Sequence, residues 1–227
     1  MSRGLFVTGT GTDIGKTFIS ALIAKRLNDA GLNTAYFKAA VSGNDRLSDG
    51  SLLPLDADYV KRISGIAQPI SEMCPYVYEN AVSPHLASRL EGNPVEMSGV
   101  LSAYAAITNK YDFITSEGSG GILCPLRFDD EIIMLPDVIR ALDIPCLLVA
   151  DAGLGTINYV VLTAEYMKKA GLRLNGIIFN NFERGNLMHE DNLKMCEYLT
   201  GVSVIDCIEK GAADLNISAE ELCALYE

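Results

Sequence analysis

A segment near the start of the chain has the residue types and the spacing of a phosphate-binding loop. It reads Gly9-Thr10-Gly11-Thr12-Asp13-Ile14-Gly15-Lys16-Thr17. An apolar run precedes it and a helix-like run follows it, so backbone N–H groups freed by the glycines and the helix dipole would both face a bound anion. Lys16 is then placed to reach the outer phosphates of a nucleotide, and Thr17 offers a hydroxyl to a phosphate-bound Mg²⁺.

The loop is longer than the usual pattern, because Thr10 stands where the first glycine is expected and Gly9 lies one residue earlier. An ordinary glycine-rich turn at the start of a Rossmann-like helix is the alternative interpretation. The Gly-Lys-Thr triplet, flanked in register by a strand-like run and a helix-like run, favours the phosphate loop over that turn.

Three further residues could complete the chemistry of such a loop: Lys38 follows the second strand-like run, Glu117 ends a later one, and Asp56 begins a helix-like run. Because a parallel sheet binds ligands at the carboxyl ends of its strands, we expect Lys38 to face the phosphate loop. Glu117 and Asp56 could be the carboxylates that Mg²⁺ takes beside phosphate oxygens. Less specific roles are also open, namely a solvated lysine, an acidic helix cap and a helix N-cap, respectively.

Other polar or glycine-rich stretches have weaker signals. They are Ser42 with Gly43, the run Gly118-Ser119-Gly120-Gly121, and the pair Asn180-Asn181. The glycine run offers a second concavity of backbone N–H groups. The serine could form the floor of the same pocket or only a turn, and the asparagine amides could recognise a nucleobase edge or simply turn the chain.

The elements that position these residues alternate between strand-like and helix-like runs. Strand-like runs cover residues 5–8, 34–37, 112–116, 146–150, 175–179 and 202–205. Helix-like runs cover residues 16–30, 56–65, 97–109, 135–142, 157–170, 187–199 and 219–226, and another starts at Ser83-Pro84-His85. Residues 42–51 have a loop composition, and residues 68–82 look irregular. Continuous apolar strands separated by helices predict an α/β fold, with a mostly parallel β-sheet flanked by helices on both faces, as one domain over residues 1–227.

Composition excludes several classes of function. A formal net charge of −11 without any basic cluster argues against a nucleic-acid-binding surface. No apolar run is long enough to cross a bilayer and the first residues lack a signal peptide, so we expect no membrane partner and a cytoplasmic location. Six cysteines without C-x-x-C spacing and only two histidines argue against zinc and favour free thiols in a reducing compartment.

Taken in order, these segments resemble the dethiobiotin synthetase family of ATP-dependent enzymes in biotin biosynthesis. The matching segments are the loop from Thr8 to Thr17, Lys38 with Ser42-Gly43, Asp56-Ala57, Ser83-Pro84-His85, the run Glu117 to Gly121, Gly153-Leu154-Gly155-Thr156-Ile157-Asn158, Ala170-Gly171-Leu172 and Asn180. The resemblance covers about residues 4–182 and fades afterwards. The phosphate loop alone is shared with the wider P-loop NTPase superfamily, whose fold the resemblance implies, whereas the ordered set is much more specific.

The resemblance implies a ligase reaction without a covalent enzyme intermediate. An amine of 7,8-diaminononanoate captures CO₂ as a carbamate, whose oxygen attacks the γ-phosphate of ATP. The second amine then closes the cyclic urea of dethiobiotin, and phosphate and ADP are released. Phosphoryl transfer of this kind depends on positioning and charge neutralisation. The resemblance also implies a homodimer, in which the carboxylate tail of the substrate reaches toward the partner subunit.

The resemblance further assigns roles to residues of this chain. Lys16 and Lys38 would be catalytic, and Thr17, Asp56 and Glu117 would hold Mg²⁺. Contacts to the nucleotide or its metal are implied for Asp13, Ile14, Gly15, Lys16, Thr17, Phe18, Asp56, Glu117, Gly118, Ser119, Gly120, Asn180 and Asn181. Contacts to the diamine substrate are implied for Thr12, Ser42 and Gly121.

Some positions depart from the pattern of the family. Ala39 follows Lys38 where the family often has proline, Ser119 replaces a common alanine, and residues 204–208 lack the Ile-Pro pair that helps to frame the adenine. The preference for a nucleotide base and the pocket for the substrate tail therefore stay open.

Two other classes of protein use a similar loop. Partitioning and septum-placement ATPases act as switches, with an extra lysine at the start of the loop and a basic or amphipathic docking element. This chain has Gly9-Thr10-Gly11 at that point, and its last helix-like run is acidic. Glutamine-dependent amidases of cobalamin synthesis need a glutaminase domain, for which 227 residues leave no room. We therefore expect a synthetase, with the switch ATPase as the alternative.

Overall fold

Twelve strands occur in the computed structural model, which describes residues 2–227. They are β1 (Arg3–Gly9), β2 (Thr34–Phe37), β3 (Ala40–Val41), β4 (Asp45–Arg46), β5 (Leu52–Leu53), β6 (Tyr76–Val77), β7 (Phe113–Glu117), β8 (Pro125–Phe128), β9 (Ile132–Met134), β10 (Cys146–Asp151), β11 (Leu174–Asn180) and β12 (Val204–Ile208). Six of them form a parallel sheet in the order β12-β11-β10-β1-β7-β2. Because β1 is central, the loop after it lies in the middle of the carboxyl edge.

Helices cover both faces of this sheet, as predicted. They are α1 (Lys16–Asp29), α2 (Leu55–Ser64), α3 (Pro84–Glu91), α4 (Met97–Thr108), α5 (Leu135–Leu142), α6 (Thr156–Lys169), α7 (Leu187–Thr200) and α8 (Ala219–Ala224), with a short 3₁₀ helix at Ile70–Glu72. Side chains of β1 alternate between the faces: Leu5 and Val7 pack in a cluster with α1 and α8, and Phe6 packs in another with α4 and α5. No helix within residues 2–227 combines the length and the apolar character that a membrane span requires.

The open edge of β2 is covered by the segment that follows α2. The buried side chain of Gln68 accepts a hydrogen bond from the Tyr36 backbone N–H at 2.7 Å, and the Met73 carbonyl accepts one from the Lys38 N–H at 2.8 Å. These bonds satisfy donors that an edge strand would otherwise leave free. They also fix the position of Lys38, which directly follows β2.

Several short elements differ from the sequence predictions. Residues 68–82 were predicted to be irregular, but they contain the 3₁₀ helix and β6. Strand β6 pairs with β3. The loop at residues 42–51 contains β4, which pairs with β5, and the hairpin β8–β9 was missed. The last strand lies at residues 204–208 rather than 202–205. Two-residue pairings depend on tertiary contacts, so local patterns carry little information about them.

The C-terminal residues pack into the core, and this contact supports a stability prediction. Tyr226 is buried, its hydroxyl lies 2.6 Å from Thr115 Oγ1, and its ring meets Phe113 edge-on at 5.3 Å. We expect Tyr226→Ala to lower the free energy of unfolding by about 3 kcal/mol, measured by urea denaturation. Tyr198→Ala, at a site that is 83% exposed, should change it by less than about 0.5 kcal/mol. Equal midpoints for the two variants would show that the C-terminus is outside the cooperative core.

Candidate active site

The phosphate loop turns between β1 and α1, as the sequence predicts, and its shape depends on one glycine. Gly15 precedes the helix with φ of 95°, a left-handed conformation that favours glycine. A side chain at Gly15 would also collide with the amide of Asn180. That amide donates to the Ile14 carbonyl at 3.0 Å. Asn180, predicted to contact the nucleotide, thus holds the loop from the end of β11.

Lys16 is the first residue of α1, and its side chain folds back over the loop. Its Nζ donates to the Gly11 carbonyl at 2.7 Å, and the residue is 7% exposed. Burial lowers the pKa of Lys16 to about 8, with a contribution from Lys38 in the same direction and partial opposition from Glu117. An anion beside this amine would favour its charged form. Lys16 is therefore suited to bind phosphate.

A lysine between two carboxylates forms the centre of the site. Lys38 Nζ lies 2.6 Å from Asp56 Oδ2 and 2.6 Å from Glu117 Oε1. Thr17 Oγ1 donates to the same Glu117 oxygen at 2.8 Å and lies 3.3 Å from Asp56 Oδ1. The four predicted residues therefore meet, although they come from α1, α2 and the ends of two strands.

The less specific roles of these residues do not fit their positions. Lys38 is buried rather than solvated, and the side chain of Glu117 is fully buried rather than capping a helix at the surface. Asp56 is not an N-cap, because α2 begins at Leu55 after Pro54. All three side chains face the cluster.

Charge interactions outweigh burial in this cluster. Burial alone would lower the pKa of Lys38, but the carboxylates of Glu117 and Asp56 raise it above its ordinary value. Burial would raise the pKa of Asp56, but the Lys38 ammonium lowers it below its usual range. Lys38 is therefore charged at neutral pH, and so is Asp56.

A fifth residue, Tyr36, was missed by the sequence analysis. It is fully buried under the cluster, and its hydroxyl donates to Glu117 Oε2 at 2.8 Å. Burial and the adjacent Glu117 carboxylate raise the pKa of this phenol well above its ordinary value. The alternation of side chains in β2, which puts Tyr36 on the same face as Lys38, was the available signal.

The donor atoms at this site fit a magnesium ion that is shared with a nucleotide. Thr17, Asp56 and Glu117 contribute one hydroxyl and two carboxylates, and Mg²⁺ takes such hard oxygens together with phosphates and water. Nowhere in residues 2–227 do three or more His, Cys, Asp or Glu side chains gather as a metal site. The phosphates of a bound nucleotide would supply further oxygens beside these three donors.

Two adjoining cavities meet at Lys38. One, of about 420 Å³, is lined by the phosphate loop with Asp56 and Glu117, and the other, of about 630 Å³, opens toward Ser42, Val82 and Ser119. Besides Lys38, the residues that line both are Thr12, Asp13, Ser42, Asp56 and Gly120. Lys38 therefore lies where a group bound in one cavity can approach a group bound in the other.

The remaining predicted residues differ in how directly they face these cavities. The Gly118 N–H donates to the Val7 carbonyl at 2.9 Å, and Gly118 lies against Phe6 and Leu135. Gly118 therefore supports the cavity wall and does not line either cavity. Gly121 lies against the loop at Gly9 and Gly11. Phe18 packs on the core beside the first turn of α1.

A third cavity, of about 480 Å³, lies beyond Asn181 at the ends of β11 and β12. Its lining is Asn181, Phe182, Glu183, Arg184, Glu209 and Lys210. Asn181 was predicted, and its amide donates to Asp151 Oδ2 at 2.7 Å. The charged residues were missed, although the rule that directed attention to strand ends applies to them too.

Comparison with known proteins identifies relatives over the whole chain. A family model described as an AAA domain matches residues 3–213. The chain is 48% identical to the ATP-dependent dethiobiotin synthetase BioD of Brachyspira hyodysenteriae, covering 100% of both chains. It is 45% identical to the protein of that name from Clostridium perfringens, covering 92% of both.

Solved structures share the fold at much lower identity. A ParA family ATPase from Chlorobium tepidum superposes with a TM-score of 0.56 at 16% identity, covering 92% of this chain and 84% of that one. The MinD cell division protein of Aquifex aeolicus superposes with a TM-score of 0.55 at 13% identity, covering 99% and 86%. These likenesses confirm the P-loop NTPase-like fold and carry no function. The full-length identities are decisive for the family: this chain belongs to the dethiobiotin synthetases.

Proposed function

We propose that the chain is an ATP-dependent dethiobiotin synthetase, a ligase that joins 7,8-diaminononanoate and CO₂ into the cyclic urea of dethiobiotin. The observation that carries the proposal is the position of Lys38, buried at the junction of the phosphate-loop cavity and the open cavity. A carbamate in the open cavity would meet the γ-phosphate of ATP at this lysine. The family relationship supplies the identity of the substrates.

Each residue of the site has a distinct part in this reaction. Lys16 neutralises negative charge on the β- and γ-phosphates. Lys38 neutralises negative charge on the carbamate and on the γ-phosphate oxygens as the carbamate attacks the phosphorus. Thr17, Asp56 and Glu117 would hold Mg²⁺, which offsets the charge of the phosphates. Thr12 and Ser42, which line the open cavity, orient the diamine, and the resemblance assigns the same role to Gly121, which lies against the phosphate loop.

The cavity beyond Asn181 is our proposed site for the nucleotide base. It adjoins the phosphate loop through Asn180, which contacts Ile14. Arg184 and Glu209 form an ion pair of 3.4 Å at this cavity, and Glu209 directly follows residues 204–208, which lack the Ile-Pro pair of the family. Charged side chains here can recognise polar edges of a base.

We also propose a homodimer and a cytoplasmic location. The outer faces of α6 and α7 and the turn before α6 expose Leu154, Leu162 and Leu187, which are 90%, 63% and 84% exposed. A second copy of the chain would cover this surface, which light scattering in solution tests. All six cysteines are free thiols, as expected for a reducing compartment.

The decisive experiment measures ADP formation with and without 7,8-diaminononanoate and bicarbonate, with the ring-closed product followed by mass spectrometry. Diamine-dependent ADP matched by an equal amount of dethiobiotin is the expected result. An equal rate of ADP formation with and without the diamine would contradict the synthetase function and favour a switch ATPase.

The lowered pKa of Lys16 leads to a pH-dependent prediction. The free protein has a pKa of about 8 at this amine, and bound phosphates raise it, so binding of ADP takes up about half a proton at pH 8. Affinity is then greatest below pH 8 and falls as the pH rises above it. Calorimetry in buffers of different ionisation enthalpy measures the proton uptake. No uptake at pH 8 would show that Lys16 stays charged in the free protein.

A further inference from the structure

Tyr36 has a specific contact that the reaction as described does not use. It is 0% exposed, and its ring occupies a space between β2 and the helices α1 and α2, beside the small residues Ala21, Ala24 and Ala57. The phenol emerges from this apolar cluster directly below Glu117, to which it donates at 2.8 Å. A phenylalanine ring would fill the same apolar space, so packing alone does not account for the hydroxyl.

The two oxygens of Glu117 have separate partners. Oε1 accepts from Thr17 at 2.8 Å and from Lys38 at 2.6 Å, on the side of the phosphate loop. Oε2 accepts from Tyr36, the one donor to that atom in the described part of the chain. Rotation of the carboxylate would break the Tyr36 bond in a dry environment, where an unpaired acceptor is costly. Glu117 therefore presents a single oxygen to the site.

The backbone around Tyr36 restrains the phenol further. The Tyr36 N–H donates to Gln68 at 2.7 Å, and Tyr36 stands opposite Thr115 in the register of β2 and β7. Tyr36 is thus held from the outer edge of β2 and from the neighbouring strand that carries Glu117. The Tyr36 hydroxyl therefore cannot move with the Glu117 carboxylate if that carboxylate rotates.

We propose that Tyr36 is a positioning residue that restricts Glu117 to binding through one oxygen and thereby makes the site selective for Mg²⁺ over Ca²⁺. Mg²⁺ requires nearly ideal octahedral geometry with short bonds, which one-oxygen carboxylates satisfy. Ca²⁺ takes more ligands at longer distances and often binds both oxygens of a carboxylate. A carboxylate with one oxygen tied to a phenol suits the smaller ion. The inference rests on the proposed function of Glu117 as a metal ligand.

The test compares metal binding by Tyr36→Phe and Tyr78→Phe. Tyr78 is a matched control, because it is also 0% exposed and donates one hydrogen bond, to the Asn93 carbonyl at 2.7 Å, away from the cluster. Calorimetric titrations of the protein–ADP complex with MgCl₂ and with CaCl₂ give both affinities without turnover. We expect Tyr36→Phe to weaken Mg²⁺ binding by about tenfold or more, as loss of a partner to a metal ligand does, with a smaller loss for Ca²⁺. Tyr78→Phe should leave the ratio of the two affinities unchanged.

Equal losses for both ions in Tyr36→Phe, or the same change in Tyr78→Phe, would overturn the proposal and leave a packing role. If Tyr36→Phe does not fold, Gln68→Leu provides a second variant, since it removes the acceptor of the Tyr36 N–H and leaves the phenol. It should shift the ratio in the same direction by a smaller amount, and an unchanged ratio would count against the proposal. Because the titrations need no diamine, failure of the synthetase assay and failure of this inference are separate results.

Discussion

Lys38→Ala is expected to lower the turnover number for dethiobiotin by about a hundredfold to a thousandfold, the usual effect of losing a donor that stabilises developing charge. Lys38 is buried between the two cavities, where the carbamate oxygen and the γ-phosphate would meet. The alanine variant keeps the phosphate loop and both carboxylates, so its affinity for ADP with Mg²⁺ should not fall. Product formation followed by mass spectrometry and ADP binding followed by calorimetry measure the two effects separately.

Removing Lys38 should also change how stability depends on magnesium. Asp56 and Glu117 would then face each other without the ammonium that lies 2.6 Å from both. Loss of one member of a buried charge cluster costs about 3–5 kcal/mol, so the metal-free variant should unfold more easily and regain stability with Mg²⁺ and ADP. Lys110→Ala is the control, because Lys110 pairs with Glu72 at the surface and should affect neither measurement. Parallel losses of ADP affinity and turnover in Lys38→Ala would contradict a role confined to the chemical step.

The part of the site that the sequence predicts is the part that follows from one rule about parallel sheets. Lys38 and Glu117 lie just after β2 and at the end of β7, which are neighbours, and the phosphate loop follows β1 on the other side of β7. Recognising the strands therefore placed these residues at one edge of the sheet, and the structure shows that β1, β7 and β2 are neighbours. Asp56 is different, since it comes from α2, and the resemblance to a family was needed to choose between a metal ligand and an N-cap.

The part that the sequence does not predict depends on packing between distant segments. Tyr36 has the pattern of a core residue, and only its distance to Glu117 gives its hydroxyl a role. The Asn180 amide likewise occupies the space that a side chain at Gly15 would need. This contact joins the start of α1 to the end of β11. Hairpin β8–β9 is short and half-exposed, so its weak alternation was not a sufficient signal.

Lys16→Ala should damage both binding and turnover, in contrast to Lys38→Ala. Lys16 Nζ reaches across the phosphate loop to the Gly11 carbonyl, so it lies where the β- and γ-phosphates would replace that carbonyl as its partner. A hydrogen bond between charged groups contributes about 1.5–3 kcal/mol, which corresponds to about a tenfold to hundredfold loss of ADP affinity. Turnover should fall further, because negative charge develops on the β-phosphate oxygens as the bond to the γ-phosphorus breaks.

Lys25→Ala is the matched control for this variant. Lys25 lies on the same helix, but its side chain turns away from the loop to Asp29 and Asp214. ADP affinity and turnover should both remain as in the unmodified protein. If Lys16→Ala kept its ADP affinity and lost only turnover, the two lysines would share one role at the reacting phosphate. If ADP affinity falls in Lys16→Ala but not in Lys38→Ala, the two lysines have separate roles. Lys16 then binds the nucleotide, and Lys38 acts in the phosphoryl transfer.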